Sequence, residues 1–377
     1  MNHCSPIQMR ISFRISASVL LLGGVVSASA CDLPTGGAPK WNTTWQVPAD
    51  SGEIGVASLL PPSVTIVTVD ATKAFEVAFA GVGVSQSLRT ACPPCAVANG
   101  LRVPKPAFTL ADSATIALPA DVAWADLVGG AVDYTLTHDF GFDPLVPSSD
   151  GAAPKGWLVI RVRSGSTILA ADSVNGSSLT LPPNVARTRS VNVDASPASP
   201  RHVSEPITVT VRLYSPAGDS VTVNDTQSLH VDVVPRGLRV SQASVSIPAS
   251  TLISRQETVD LSGLGGEVSS RVQGGAVVLT VRNPFAVEGQ LTATLTAAGA
   301  APVSRDLVFP VGGLSSPPTI LRVPLTADEL ARLMGSSNVT VHVSGNVTAP
   351  SGVMTVTPAQ VFGVSTMLEI ILSTAGR

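Results

Sequence analysis

Cys92 and Cys95, in Cys92-Pro93-Pro94-Cys95, have the spacing of thiol–disulfide exchange motifs. Exchange requires the first thiol at a helix N-terminus, where the dipole lowers its pKa. The residues that follow, Ala96-Val97-Ala98-Asn99-Gly100 with Pro104 and Pro106 beyond, are poor ground for a long helix. Two extended prolines would hold the cysteine Cα atoms about 9 Å apart, past the ~7 Å limit for a bridge. A disulfide between Cys92 and Cys95 therefore calls for a tight turn, with a cis proline as one means, and is read as a structural staple of its loop. A second carboxylate-bearing run, His138-Asp139-Phe-Gly-Phe-Asp143-Pro144, offers oxygens for Ca²⁺, but two carboxylates are few for such a site and turn capping is the simpler use.

Elsewhere the chemistry thins out. His202, His230 and His342 form neither H-E-x-x-H nor an H-x-H pair, and there is no G-x-S-x-G elbow, S-x-x-K, P-loop or dinucleotide fingerprint. The sequence thus designates no catalytic residue, no cofactor-binding residue and no metal ligand. With 23 Lys+Arg against 26 Asp+Glu and no basic cluster, nucleic acid is not an expected partner.

Arg10 and Arg14 precede the apolar run Val19–Val26 and the small residues Ser27-Ala28-Ser29-Ala30, the layout of a secretory signal peptide over residues 1–30. Ala28-Ser29-Ala30 suits an ordinary signal peptidase. Cys31 immediately after it resembles the lipidated cysteine of a bacterial lipoprotein, which implies a membrane partner through an N-terminal lipid. Cysteine parity agrees, since lipidation of Cys31 leaves Cys92 and Cys95 as one clean pair. Trp41 and Trp45, bracketed by Pro39 and Pro48, suit either a docking element or a cover for the edge of a sheet.

The elements that must position these residues are strands. Hydrophobic residues make up 44% of the chain and charged ones only 13%, with Gly 32 and Pro 30 punctuating Val- and Thr-rich runs. That balance favours an all-β fold. Val64–Val69 and Ala74–Phe79 alternate with period two. Gly129-Gly-Ala-Val132 recurs as Gly274-Gly-Ala-Val277, Gly156–Val162 parallels Gly289–Leu295, and Ile207–Leu213 parallels Val339–Val343. Upstream of these, Ile116-Ala-Leu-Pro119 is matched with Ser246-Ile-Pro248. The expectation is tandem antiparallel β-sandwiches of fibronectin or immunoglobulin type with very little helix. The expected divisions are an N-terminal β region over 31–106, one module over 107–238 and a second over 239–377. The clearest helix is Thr326–Met334, opened by the capping box Thr326/Glu329 and stopped at Gly335; a weaker one is expected at Asp121–Val128.

In the second module, Val277-Val-Leu-Thr-Val-Arg-Asn-Pro-Phe285, Gly289–Leu295 and Ile320-Leu-Arg-Val-Pro-Leu325 resemble the water-stress and hypersensitive-response domain of late-embryogenesis-abundant proteins. In that family a strand ending in Asn-Pro precedes a second strand and a later Val-Pro strand. The resemblance extends to the first module if His138-Asp139 replaces Asn-Pro. It implies a sandwich fold and a protective or interaction role, with no catalytic residues. The expected function is that of an exported, lipid-anchored envelope module, non-enzymatic, with a possible envelope protein partner. The alternatives are a carrier of an apolar ligand in an enlarged core, and a hydrolase with an unrecognised carboxylate site.

Overall fold

The computed structural model describes residues 41–147, 154–247 and 251–373, so the segment holding Cys31 and residues 1–30 lies outside the described residues. The chain opens with β1 (Asn42–Gly55), β2 (Val64–Val69), β3 (Thr72–Val77) and β4 (Val82–Ser87), then two short helices, α1 (Leu88–Ala91) and α2 (Pro93–Val97). There follow β5 (Arg102–Lys105), β6 (Phe108–Ile116), β7 (Val122–His138), β8 (Trp157–Ser164), β9 (Thr167–Asn175) and β10 (Arg187–Asn192). Next come β11 (Arg201–Val203), β12 (Ile207–Ser215), β13 (Gly218–Thr222), β14 (Ser228–Ser246) and β15 (Thr251–Val259). The last elements are β16 (Val272–Arg282), β17 (Glu288–Thr296), β18 (Val303–Phe309), β19 (Thr319–Thr326), α3 (Ala327–Leu333), β20 (Val339–Thr348), β21 (Val353–Val356) and β22 (Val361–Ser373).

All strand pairs among the described residues are antiparallel, and they build two sandwiches of the same design. In the first, the sheet β6-β12-β8-β9 faces a sheet in which β10, β7, β14 and β4 lie side by side. In the second, β15-β20-β17-β18 faces β19-β16-β22-β1. Each strand of one list has its counterpart in the other at the same place. The internal similarity of the sequence is therefore a similarity of topology, with β8 matching β17 and β12 matching β20 as the sequence parallels suggest. One parallel is displaced: Ile116 ends β6, whereas Ser246 ends β14, and the segment that takes the place of β6 is β15. The sandwiches are filled by alternation, as in β12, where Ile207, Val209, Val211 and Leu213 are buried while Arg212 is exposed.

The repeated Gly-Gly occupies an inner strand of each sandwich, at a register break. Opposite Gly129-Gly130 the β7–β14 ladder shifts between Arg236 and Arg239, and the β16–β22 ladder shifts between Val272 and Gly274. Gly130 has φ +123°, and a Cβ there would lie 2.6 Å from the Gly237 carbonyl oxygen. A Cβ on Gly275 would sit 2.0 Å from the Glu369 carbonyl oxygen. Neither backbone approach leaves room for a side chain.

The sheets run across the divisions drawn from sequence. β1 pairs along β22 from Asn42↔Ser373 to Gly55↔Val361, and β4 pairs with the first part of β14. The N-terminal region thus supplies an equivalent edge strand to each sandwich. β14 continues without interruption through residues 238 and 239, and its far end pairs with β21.

α3 has the expected capping box, with Thr326 Oγ1 accepting from the Glu329 N–H and Glu329 Oε2 accepting from the Thr326 N–H. The helix expected at Asp121–Val128 is instead the start of β7. Pairing with β14 along that stretch, and burial of Val122, Ala125 and Leu127, override the local preference of the alanines.

Candidate functional site

The side chains with the most chemistry gather at one end of the first sandwich, where β5 and β13 pair and where β7, β12 and the helices α1 and α2 terminate. Cys92 is the N-cap of α2, Pro93 and Pro94 fill its first positions, and the Cys95 N–H donates to the Cys92 carbonyl at 2.9 Å. This helical turn brings the two Cα atoms to 5.2 Å and the thiols into a disulfide, with trans peptide bonds. The extended-proline geometry is replaced because proline's fixed φ suits the first turn of a helix. Cys92 does cap a helix, as an exchange site requires, but that helix has five residues and both sulfur-bearing side chains are fully buried. The pair therefore joins α1 to α2. α1 is held in turn by the Leu88 N–H donating to Gln227 O, the Arg89 N–H donating to Asp225 O, and an Arg89–Asp225 ion pair at 2.9 Å.

Lys105, which the sequence reading passed over, is the most unusual group at this end. Its side chain is buried, its Nζ donates to Ser215 Oγ at 3.0 Å, and the ammonium lies 5.3 Å from the centre of the Phe142 ring. Burial lowers its pKa to about 8 against a smaller opposing pull from Asp143. A lysine of this kind beside a serine hydroxyl is the pairing of a nucleophile with its base. Here, however, Ser215 is completely buried. The pair is enclosed by β5, β12 and the stacked and edge-on rings of Phe108, Phe140 and Phe142.

His138 is also buried, with Nε2 donating to Leu181 O at 2.7 Å and Nδ1 accepting from the Phe140 N–H at 3.2 Å. That arrangement fixes one tautomer of a neutral ring, and burial keeps its pKa below the ordinary value. The neighbouring carboxylates are engaged by backbone donors. Asp139 Oδ1 accepts from the Ser228 N–H at 2.6 Å, and Asp143 accepts from the Leu145 and Leu181 N–H groups at 2.8 Å each. These are turn-capping roles. In the second sandwich Asn283 stands where His138 does: its Oδ1 accepts from the Phe285 N–H at 3.1 Å and its Nδ2 donates to Val287 O at 2.7 Å.

Between the facing sheets the interior is filled. The void among Tyr134, Ile160, Ala170 and Asp172 in the first sandwich measures about 10 Å³, as does that among Ile54, Val341 and Val364 in the second. Neither has room for more than about one water. Neither of these two voids is large enough to hold an apolar ligand. At the surface, Trp41 and Trp45 are 57% and 46% exposed, the second of them on the edge strand β1. No described helix is long and apolar enough to cross a membrane.

No known family matches the sequence, and no curated protein does so. Among solved structures the chain aligns with a protein of Parabacteroides distasonis ATCC 8503 assigned as secreted, at 12% identity over 87% of this chain and 99% of the other, with a TM-score of 0.28. It also aligns with the empty top-component particles of cowpea mosaic virus, at 12% identity over 80% and 91% of the two chains and a TM-score of 0.20. The mosquito-larvicidal Cry4Aa toxin of Bacillus thuringiensis gives 9% identity over 79% and 58%, with a TM-score of 0.17. Likeness at this level carries no argument about function.

Proposed function

We propose that this chain is an exported, non-enzymatic module of the cell envelope, held to a membrane by a lipid on Cys31. The observation that carries the reading is the placement of Trp41 and Trp45, with both rings substantially exposed where the described chain begins. From Cys31 the extended chain spans at most about 35 Å to Trp41, which leaves the tryptophan-bearing edge within reach of a membrane that holds a lipid on Cys31. Tryptophan favours the boundary between headgroups and water. The buried Cys92–Cys95 bridge suits an oxidising compartment. The resemblance to the water-stress domain implies a protective or interaction role without catalytic residues, in keeping with this reading.

Mass spectrometry of the protein purified from membranes is expected to find an acylated N-terminal Cys31, and Cys31→Ser is expected to move the protein to the soluble fraction. An unmodified mature N-terminus, or one beginning elsewhere, would refute the anchor. Trp41→Ala/Trp45→Ala with Cys31 intact is expected to weaken membrane retention in a salt or carbonate wash while leaving acylation in place.

A further inference from the structure

A groove of about 260 Å³ crosses the outward face of the sheet β19-β16-β22-β1 near the start of β22. Its floor is Gly363, with Glu53 of β1 directly opposite on one side and Arg282 of β16 directly opposite on the other. Residues paired in this way point to the same face of a sheet. The flanking Phe362 and Val364 are buried in the sandwich, so the row Glu53, Gly363, Arg282 faces outward. In the next row on that face Ser365 lies beside Thr280, and Pro318 completes the wall on the β19 side. The groove thus offers one carboxylate, one guanidinium and two hydroxyls, with no net charge.

Two features show that the gap between the charges is built. Glu53 and Arg282 are both exposed, and neither has an ion-pair partner among the described residues. Farther along the same face, Arg322 of β19 and Glu369 of β22 are likewise separated by one strand, β16, and they meet across it in an ion pair. Side chains of these types can therefore close over an intervening strand, whereas Glu53 and Arg282, about 10 Å apart at the backbone, leave the space above β22 open. The second feature is the glycine itself. Gly363 does not adopt a left-handed φ, and an added Cβ would meet only the Arg282 Cβ, at 3.5 Å, an ordinary contact. The chain does not need glycine there, but any larger residue would fill the space between the two charges.

We infer that the groove binds a small zwitterion with its charges at the two ends, the ammonium on Glu53 and the carboxylate on Arg282. The connecting chain lies over Gly363, within reach of the Ser365 and Thr280 hydroxyls. The volume is below the roughly 300 to 1,000 Å³ of sites for drug-sized ligands, which suits a short molecule. The inference is independent of the lipid on Cys31.

Titration of the purified protein with 4-aminobutyrate, followed by NMR chemical shifts, tests it, with butyrate and butylamine as ligands that each lack one charge. Saturable one-site binding of 4-aminobutyrate is expected, with butyrate and butylamine each at least about tenfold weaker. Glu53→Gln and Arg282→Gln are each expected to weaken 4-aminobutyrate about tenfold. Gly363→Leu is expected to abolish binding while leaving the thermal melt unchanged. Glu53→Arg alone should lose binding, and the exchange Glu53→Arg/Arg282→Glu should recover it with the ligand reversed, a gain that misfolding cannot imitate. Absence of saturable binding, either single-charge ligand binding as tightly as 4-aminobutyrate, undiminished binding in Gly363→Leu, or a folded exchange variant that binds no better than Glu53→Arg would each overturn the inference.

Discussion

At the end of a long inner strand of each sandwich, an imidazole and a carboxamide do equivalent work. His138 and Asn283 both accept from the N–H of a phenylalanine two residues on and donate to a backbone carbonyl. The ring differs in that it titrates. Burial depresses the His138 pKa below its ordinary value near 6.5, with the Leu181 carbonyl and Asp143 and Asp139 opposing. Below that ordinary value the unfolded chain takes up a proton that the folded one resists, so stability is present above about pH 6.5 and is lost as pH falls below it. His138→Asn is expected to cost about 1–2 kcal/mol at pH 7.5 through lost packing and a shortened reach to Leu181. The gap should narrow by pH 5, and urea unfolding at the two pH values checks this. Lys105 has the same sign in a higher window. Its folded pKa of about 8 lies below the unfolded value near 10.5, so stability rises with pH between those limits, by about 3 kcal/mol in full. Lys105→Met should abolish that rise. Tyr134, whose pKa burial raises, works in the opposite direction above about pH 10, so the informative readout is the difference between wild type and variant. Lys105 was illegible in the sequence because nothing local distinguishes a lysine before a proline; only its contact with Ser215, far along the chain, encloses it.

Among the elements, the Gly-Gly pair was legible as a repeat, but its reason was not, since the carbonyls that crowd Gly130 and Gly275 come from partner strands. Gly130→Ala and Gly275→Ala are each expected to destabilise by more than about 2 kcal/mol through backbone clash. Gly55→Ala, at an ordinary φ of −65° with nothing within 4 Å, should change stability little. Thermal melts of the three variants decide it, and equal losses would discount the clash. The capping box of α3 was readable because its signals lie within one turn, Thr326 to Glu329. The helical turn at Cys92 was hidden for the opposite reason: two successive prolines look extended in isolation, yet both fit a helix start. A bridge across so short a loop has little leverage on the unfolded ensemble, on the order of 1–2 kcal/mol. Cys92→Ser/Cys95→Ser should accordingly leave both sandwiches folded while proteolysis between Arg89 and Pro104 becomes faster. Global unfolding of the double variant would contradict a local role.

For the molecule as a whole, alternation and turn spacing made the two sandwiches readable, whereas the edge strands were not. Nothing within β1 or β4 says that one belongs with residues 361–373 and the other with the start of β14. Because β1 completes the second sandwich, residues 239–377 expressed alone should leave β22 with an open apolar edge and aggregate. Joining residues 41–55 after Ser373 through a flexible linker is expected to restore a soluble fragment that unfolds cooperatively, because Asn42 and Ser373 are already neighbours. Equal solubility of the two fragments by size-exclusion chromatography would contradict this.

The position of β22 between β1 and β16 also sets synthesis against closure. β1 leaves the ribosome before any other described strand and then waits for a partner that is made after all the others. Until residues 361–373 have emerged, the second sandwich lacks an inner strand, and pairing over so long a separation is slow to form. Such an arrangement is a latch: it withholds the closed state until residues 361–373 have been made. On the export route proposed above, that delay would keep the chain transportable.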